Sequence, residues 1–332
     1  MSEAERRSRG VPGAVEHPLV SIVLPTFGRP DLLGRAIESV LRQTLGSWEL
    51  LVVDDNDGGT REAAETRLVV EAYRDEERLR YIPLGANRGG SRARNVGIVA
   101  AQGELIAFID DDDEWLPEKL ARQCSELTRL PPEYGAIYCG YFVESNATVT
   151  PSVVAGKLPR DPFPAILVDN FVGTTSTLLC RRSIFREIGM FDERMPAAQD
   201  RELLIRLCRR YRIAAIEGPL VRFHWHEGSR VTKRRESKLE AQVEINSRYA
   251  DELQRHRSIR SRFLLDMGKL QLACGRAEEA AVTFLRSWLC QPLRFAALAY
   301  AVLASVDGSF YEWVRRSTWR LRHGVGRAWR AR

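Results

Sequence analysis

Residues 108–115 read Phe-Ile-Asp-Asp-Asp-Asp-Glu-Trp, so four aspartates and a glutamate gather at the end of an apolar run. Such a concentration of charge beside a buried strand calls for a cation, a hydrogen-bond network or open solvent. Asp110 and Asp112, at alternate positions, suit a hard divalent ion that keeps open positions for phosphate oxygens; a solvated acidic turn is the plainer reading. A second acidic and glycine-rich turn follows at Asp54-Asp55-Asn56-Asp57-Gly58-Gly59. A third cluster, Asn87-Arg88-Gly89-Gly90-Ser91-Arg92-Ala93-Arg94-Asn95, offers guanidinium forks and backbone N–H groups to a diphosphate, unless its arginines are only solvated. Neither G-x-G-x-x-G nor G-x-x-x-x-G-K-[ST] occurs, so phosphate recognition falls to a metal and to basic side chains.

These groups need a scaffold that brings them to one rim. Leu19 to Leu24 reads as a strand ended by Pro25, and Pro30-Asp31 opens a helix through Leu33, Ile37, Val40 and Leu41. A strand from Trp48 to Val53, a helix near 61–77, a strand at Leu79 to Pro83, a helix near Ser91 to Ala101 and a strand before Asp110 complete an alternation. The pattern predicts an α/β fold, a mostly parallel sheet flanked by helices. Thr26, Asp54, Asp55 and Asp110 to Asp113 then converge at the carboxyl ends of strands, where open α/β sheets bind ligands.

Val20 to Phe27, Ser39 to Thr44, Glu49 to Asp55, Asn87 through Gly97 and Phe108 to Pro117 together resemble family 2 glycosyltransferases of the GT-A fold, over roughly residues 19–230. The resemblance implies a nucleotide-diphospho-sugar donor held with Mn²⁺ or Mg²⁺. It places Asp110 and Asp112 in the family's D-x-D, with Asp111 beside them, and Asp55 at the acid that reads the base. Pro25, Thr26, Phe27 and Arg29 fall in the loop beneath the base; Asn87, Arg88, Arg92 and Arg94 fall on the diphosphate side. Of the two histidines in Phe223-His224-Trp225-His226, the aromatic-x-x-His pattern selects His226 as the metal or diphosphate contact, and His224 is expected to pack. In Ala198-Gln199-Asp200-Arg201, Gln199 departs from the family's Glu-Asp pair, while Asp200 keeps the position of the catalytic base. Taken without the resemblance, Asp200 also suits a helix N-cap. Gln199, Trp115 and Thr174 are assigned to the acceptor side. No Q-x-x-R-W follows Asp200, so the resemblance implies an inverting, non-processive transferase adding one sugar to a glycan or lipid-linked acceptor, in bacterial surface polysaccharide synthesis with UDP as the preferred nucleotide. Its alternatives are a donor-binding protein without catalysis and a D-x-D phosphatase. The phosphatase needs Thr or Val where Glu114 stands, and a calcium loop fails because Trp115 and Ala121 replace its glycine and closing glutamate.

Six scattered cysteines without C-x-x-C spacing argue against a disulfide framework or zinc site, and no apolar stretch is long enough to span a bilayer. A cytoplasmic protein is expected. The net charge of +6 resides in the tail: residues 315–332 carry seven arginines and no acid, leaving 43 bases against 44 acids elsewhere. Interleaved with Trp313, Trp319 and Trp329, these arginines form either a last helix packed on the body or a basic amphipathic segment on an anionic membrane, peripheral to the inner face of the plasma membrane. No nucleic-acid motif accompanies them, so no nucleic-acid partner is expected. The expected organisation is a loose leader (1–17), a catalytic domain (18–232), a helical region (233–310) with a tetratricopeptide-like hairpin near Leu272 to Pro292, and the basic tail (311–332). Arg230 to Arg235 is read as a mobile loop over the diphosphate or a solvated helix start.

Overall fold

The protein, described by a computed structural model, is defined over residues 17–145, 152–225 and 231–306. His226 and the 311–332 tail lie outside the described residues, as does most of the leader. The first half alternates β1 (Val20–Thr26), α1 (Pro30–Leu41), β2 (Trp48–Asp54), α2 (Arg61–Glu71), β3 (Leu79–Pro83), α3 (Gly90–Ala100) and β4 (Leu105–Phe108). Then come β5 (Glu114–Trp115), α4 (Lys119–Arg129), β6 (Tyr134–Ser145), β7 (Ser152–Val154) and α5 (Pro162–Ile166). They are followed by β8 (Leu178–Arg181), α6 (Ile184–Ile188), α7 (Gln199–Arg210) and β9 (Arg212–Trp225).

Among the described residues these strands form one sheet ordered β3-β2-β1-β4-β8-β6-β9-β5, with β7 paired to β6. The half from β3 to β4 is parallel. Its inner strands β1, β2 and β4 are buried on both faces and are nearly continuous apolar runs, whereas β3 is a half-exposed edge strand. Strand alternation sends Val23, Ile106 and Phe108 to one core and Val20, Ile22, Leu24, Leu105 and Ala107 to the other. β1 continues through Pro25, which pairs in register with Val53, because proline removes only its own N–H from the ladder. Helix α3 lies so close to β1 that a Cβ on Gly97 would stand 2.3 Å from a Val23 methyl.

Beyond β4 the sheet changes character. β8 runs antiparallel to both β4 and β6, and β5 runs antiparallel to β9, while β6 and β9 pair in parallel with a register shift near Gly140. The chain then turns helical: α8 (Val231–Arg248), α9 (Ala250–Arg255), α10 (Arg257–Ala273), α11 (Ala277–Cys290) and α12 (Phe295–Val306). Leu239, Ile245, Tyr249, Leu253 and Phe263 share the core of the sheet's α3 and α7 side. The Tyr249 hydroxyl donates to Glu202 at 3.1 Å, and Arg248 pairs with Asp192 at 2.8 Å. Gly275, with φ +79°, makes the turn between α10 and α11. No described helix is long and apolar enough to cross a membrane.

Candidate active site

A cleft of about 550 Å³ opens at the carboxyl ends of β1, β2 and β4. Pro25, Thr26, Phe27 and Arg29 line one side, Asp55, Asn87, Gly89 and Arg94 another, and Asp110, Asp111 and Asp112 the floor, with Phe223 and His224 opposite. The acidic run forms a turn after β4, closed by the Asp113 N–H on the Asp110 carbonyl at 3.0 Å, and its side chains are sorted by burial. Asp111 and Asp113 are buried, whereas Asp110 and Asp112 keep 26% and 18% of their side chains exposed, which leaves them able to meet a ligand. Asp111 accepts from the Thr26 hydroxyl at 2.9 Å and from the Phe27 N–H at 3.3 Å, so it fixes the loop after β1. Burial pushes its carboxyl up to about 6, with Arg29 pulling the other way. Asp113 accepts from Ser176 Oγ at 2.5 Å, and burial together with Asp110 raises its pKa well above the ordinary range. Ser176 Oγ also accepts the Asp110 N–H at 3.0 Å, which anchors the run from the β8 side.

Both cleft carboxylates face guanidinium groups. Arg94, on the first turns of α3, pairs with Asp110 at 2.5 Å, and Arg29 pairs with Asp112 and, at 2.8 Å, with Asp111. Burial lowers the Arg29 pKa, but Asp111, Asp112 and Asp110 outweigh it and hold it above its ordinary value. Asp55 is buried, and its two oxygens accept the N–H groups of Arg88 and Gly89 at 2.7 and 2.8 Å. Burial raises its pKa while those N–H groups lower it. Asp55 therefore shapes the glycine turn that opens α3. Asn95, further along the helix, ties α3 to the segment before α7: its amide donates to the Phe191 carbonyl and to Glu193, both at 2.9 Å.

Asp200 stands in the first turn of α7. Its Oδ2 accepts from the Asn170 amide at 2.7 Å. Burial raises its pKa, opposed by the Arg201 N–H and by the charge of Arg94, while Asp110 adds to the rise; Arg94 and Asp110 thus lie within electrostatic reach. The residue before α7's first turn, Ala198, has φ +54° and is the one non-glycine residue with positive φ among the described residues. That left-handed cap is a strained way to start a helix, and it sets the direction in which Gln199 and Asp200 leave the loop.

The model for glycosyl transferase family 2 matches residues 21–189, half of the chain. The chain belongs to this family. WcaA of Escherichia coli (strain K12), a glycosyl transferase named for colanic acid biosynthesis, is 33% identical over 197 residues, 59% of this chain and 68% of that protein. The chain spans between about a third and a half of the length of three further relatives it matches, and 97% of another, an uncharacterised glycosyltransferase of Rickettsia typhi that is 24% identical. S. aureus TarS 1-349, solved with UDP-GlcNAc, superposes with a TM-score of 0.55 at 17% identity, over 90% of this chain and 92% of that one. A mannosyltransferase from Pyrobaculum calidifontis, solved with GDP-Man and Mn²⁺, superposes with a TM-score of 0.53 at 18% identity, over 99% of this chain and 93% of that one. At these identities the two structures establish the shared GT-A-like fold.

In this glycosyltransferase several expected site residues take other positions. The Arg92 side chain points to Glu193 at 3.4 Å, and neither Arg92 nor Arg88 is among the residues lining the cleft; of the three arginines near α3, Arg94 lines it. Trp115 is buried, with its indole N–H donating to the Ser176 carbonyl at 2.9 Å, so it supports the floor and does not face an acceptor. Thr174 is buried and caps a 3₁₀ turn by accepting the Ser176 N–H at 3.3 Å. Its neighbour Thr175 has its hydroxyl 3.5 Å from both Asp110 oxygens. Gln199 donates to the Met195 carbonyl at 3.1 Å. Asp200 is not the N-cap of its helix, a place taken by Ala198. His224, expected to pack, lines the cleft and hydrogen-bonds Glu114 at 2.9 Å. Asn170 and Thr175 carried no sequence motif; the Asn-x-x-Gly turn at 170–173 and the four-hydroxyl run Thr174 to Thr177 were the available signals.

Proposed function

We propose that this family 2 glycosyltransferase transfers one sugar from a nucleotide-diphospho-sugar, UDP-linked by preference, to a hydroxyl of a glycan or lipid-linked acceptor, with inversion at the anomeric carbon. The reading rests on one observation: a cleft floored by Asp110 and Asp112, flanked by Arg29 and Arg94, within electrostatic reach of a half-buried carboxylate, Asp200. The similarity to WcaA, named for colanic acid biosynthesis, supports a role in surface polysaccharide synthesis.

Asp200 is the base. Its carboxylate takes the proton of the acceptor hydroxyl as the hydroxyl oxygen bonds to the anomeric carbon, and the bond to the diphosphate oxygen breaks with its electron pair. Asn170 and the Arg201 N–H hold the carboxylate in place. Arg94 and Arg29 are placed to meet the charge that develops on the departing diphosphate. Pro25 and the exposed ring of Phe27 offer a surface for the base. The oxygen donors Asp110 and Asp112 fit a hard divalent cation, and His226 would be the third ligand by family resemblance; among the described residues no three such side chains stand together as a ready cage. When bound, Mn²⁺ or Mg²⁺ would supply positive charge to the diphosphate oxygens.

Calorimetric titration of UDP, GDP and dTDP with and without Mn²⁺ tests the donor assignment. One nucleotide is expected to bind with metal dependence, and Asp112→Ala is expected to lose that binding. Equal affinity in wild type and Asp112→Ala would overturn the metal site. Asp200→Asn should bind donor normally and lose transfer by ~10²- to 10⁴-fold. Donor binding with no transfer by the wild type to any glycan acceptor would instead indicate a sugar-nucleotide sensor.

A further inference from the structure

Among the described residues twelve large hydrophobic side chains are exposed, and six of them, Val282, Leu285, Leu289, Leu293, Phe295 and Val302, lie on α11, α12 and the turn between them. At the turn itself Leu293 is 82% and Phe295 69% exposed. This is not a failure of packing, because the opposite sides of both helices are fully used. Phe284 is buried so close to Gly268 of α10 that a Cβ there would meet its ring at 2.6 Å. Ser261 and Ser287 exchange hydrogen bonds at 2.8 and 2.6 Å, and Tyr300 stacks on Phe284 at 5.3 Å. The turn is braced, with the Trp288 indole N–H donating to the Pro292 carbonyl at 2.9 Å.

Near the turn the charges on this surface have one sign, the acids of α11, Glu278 and Glu279, lying at its far end. From Ala280 to Val306 the sequence holds no aspartate or glutamate, and its only charged residues are Arg286 and Arg294, both close to the turn. A second copy docked turn against turn would bring these arginines together with no carboxylate of the turn to pair them. An anionic bilayer meets both features: acyl chains cover Leu289, Leu293 and Phe295, and lipid phosphates meet the guanidinium groups.

We infer that the outward side of α11 and α12, led by Leu293 and Phe295, docks the protein on an anionic membrane surface. This inference goes beyond the donor chemistry and does not depend on it. It also uses a different segment from the Arg/Trp tail.

The test is co-sedimentation of the full chain with phosphatidylcholine vesicles, with and without phosphatidylglycerol. Wild type is expected to prefer the phosphatidylglycerol vesicles, and L293S/F295S to lower the partition coefficient by about tenfold with an unchanged melting temperature, because both side chains are solvent-exposed. Arg286→Glu with Arg294→Glu, which leaves the apolar side chains in place, is expected to weaken binding to phosphatidylglycerol vesicles selectively. Deletion of 311–332 should leave a partition that L293S/F295S still reduces. Failure of wild type to bind, or equal binding by wild type and both variants, would overturn the inference. So would a concentration-dependent dimer of wild type, seen by light scattering, that L293S/F295S dissolves, since the surface would then belong to a second copy.

Discussion

At the residue scale, the site is a set of carboxylates whose environments differ although their sequence context is shared. Asp110 and Asp112 are balanced by Arg94 and Arg29 at the cleft, while buried Asp111, which also pairs with Arg29, and buried Asp113 accept from hydroxyl and N–H donors. Asp200 differs again, since burial raises its pKa and the Asn170 amide donates to it. A base must be ionised, so transfer should fall as pH drops through a pKa above the usual aspartate value. Asn170→Ala removes a donor to the charged form and should raise that pKa further. The acid limb of the kcat profile is therefore expected to move to higher pH, with donor affinity unchanged. An acid limb that stays in place would show that Asn170 does not tune Asp200.

At the element scale, α4 carries an ionisable group into the core. Lys119 is completely buried, its ammonium donating to Gln123 at 2.7 Å and lying 3.9 Å from the centre of the Trp115 ring. Burial lowers its pKa to about 8, an effect opposed by the nearby Cys139, Cys124 and Cys180. Because the folded value lies below that of the unfolded chain, folding at neutral pH must retain a charge in an apolar site. The unfolded state binds the extra proton between about pH 8 and the ordinary lysine range, so this residue's contribution to stability improves as pH rises through that window. Lys119→Met is expected to be more stable than wild type at pH 7, on the order of 3 kcal/mol at most, with the gap closing towards pH 10. Urea unfolding of both proteins at the two pH values measures it, and a gap independent of pH would refute the charge penalty.

At the scale of the whole molecule, the helical region is not a loose appendage of the sheet. Leu239, Ile245, Tyr249 and Phe263 fill the core that also holds Leu203 and Leu207 of α7, and Arg209 of α7 pairs with Glu252 at 3.1 Å. The helix that presents Asp200 is thus held between the sheet and α8 to α10. A chain ending at residue 232 should expose this core and fail to give a cooperative melt, whereas a chain ending at 306 should melt in one transition up to α10. Calorimetry of the two truncations distinguishes this arrangement from a catalytic unit that folds alone, in which the shorter chain would melt cooperatively.

Local sequence determined the parallel half of this protein. Strands buried on both faces must be short apolar runs, and their crossover helices must show a 3.6-residue period, so β1, β2, β4, α1 and α3 were visible together with the polar residues at the strands' carboxyl ends. The motifs that place the chain in its family sit on those same ends. Tertiary structure decided the rest. The mixed half was not legible because β6 and β9, 12 and 14 residues long, take their parallel pairing and register from each other across the intervening chain. Which oxygens of the Asp110 to Asp113 run face the cleft depended on the register of β4 against β1 and on Ser176, 63 residues beyond Asp113. Trp115 is drawn into the floor, Asn170 reaches Asp200, and Asn95 joins α3 to Phe191 across 96 residues of sequence. Each of these contacts is set by how whole elements pack, and propensity along the chain carries no information about it.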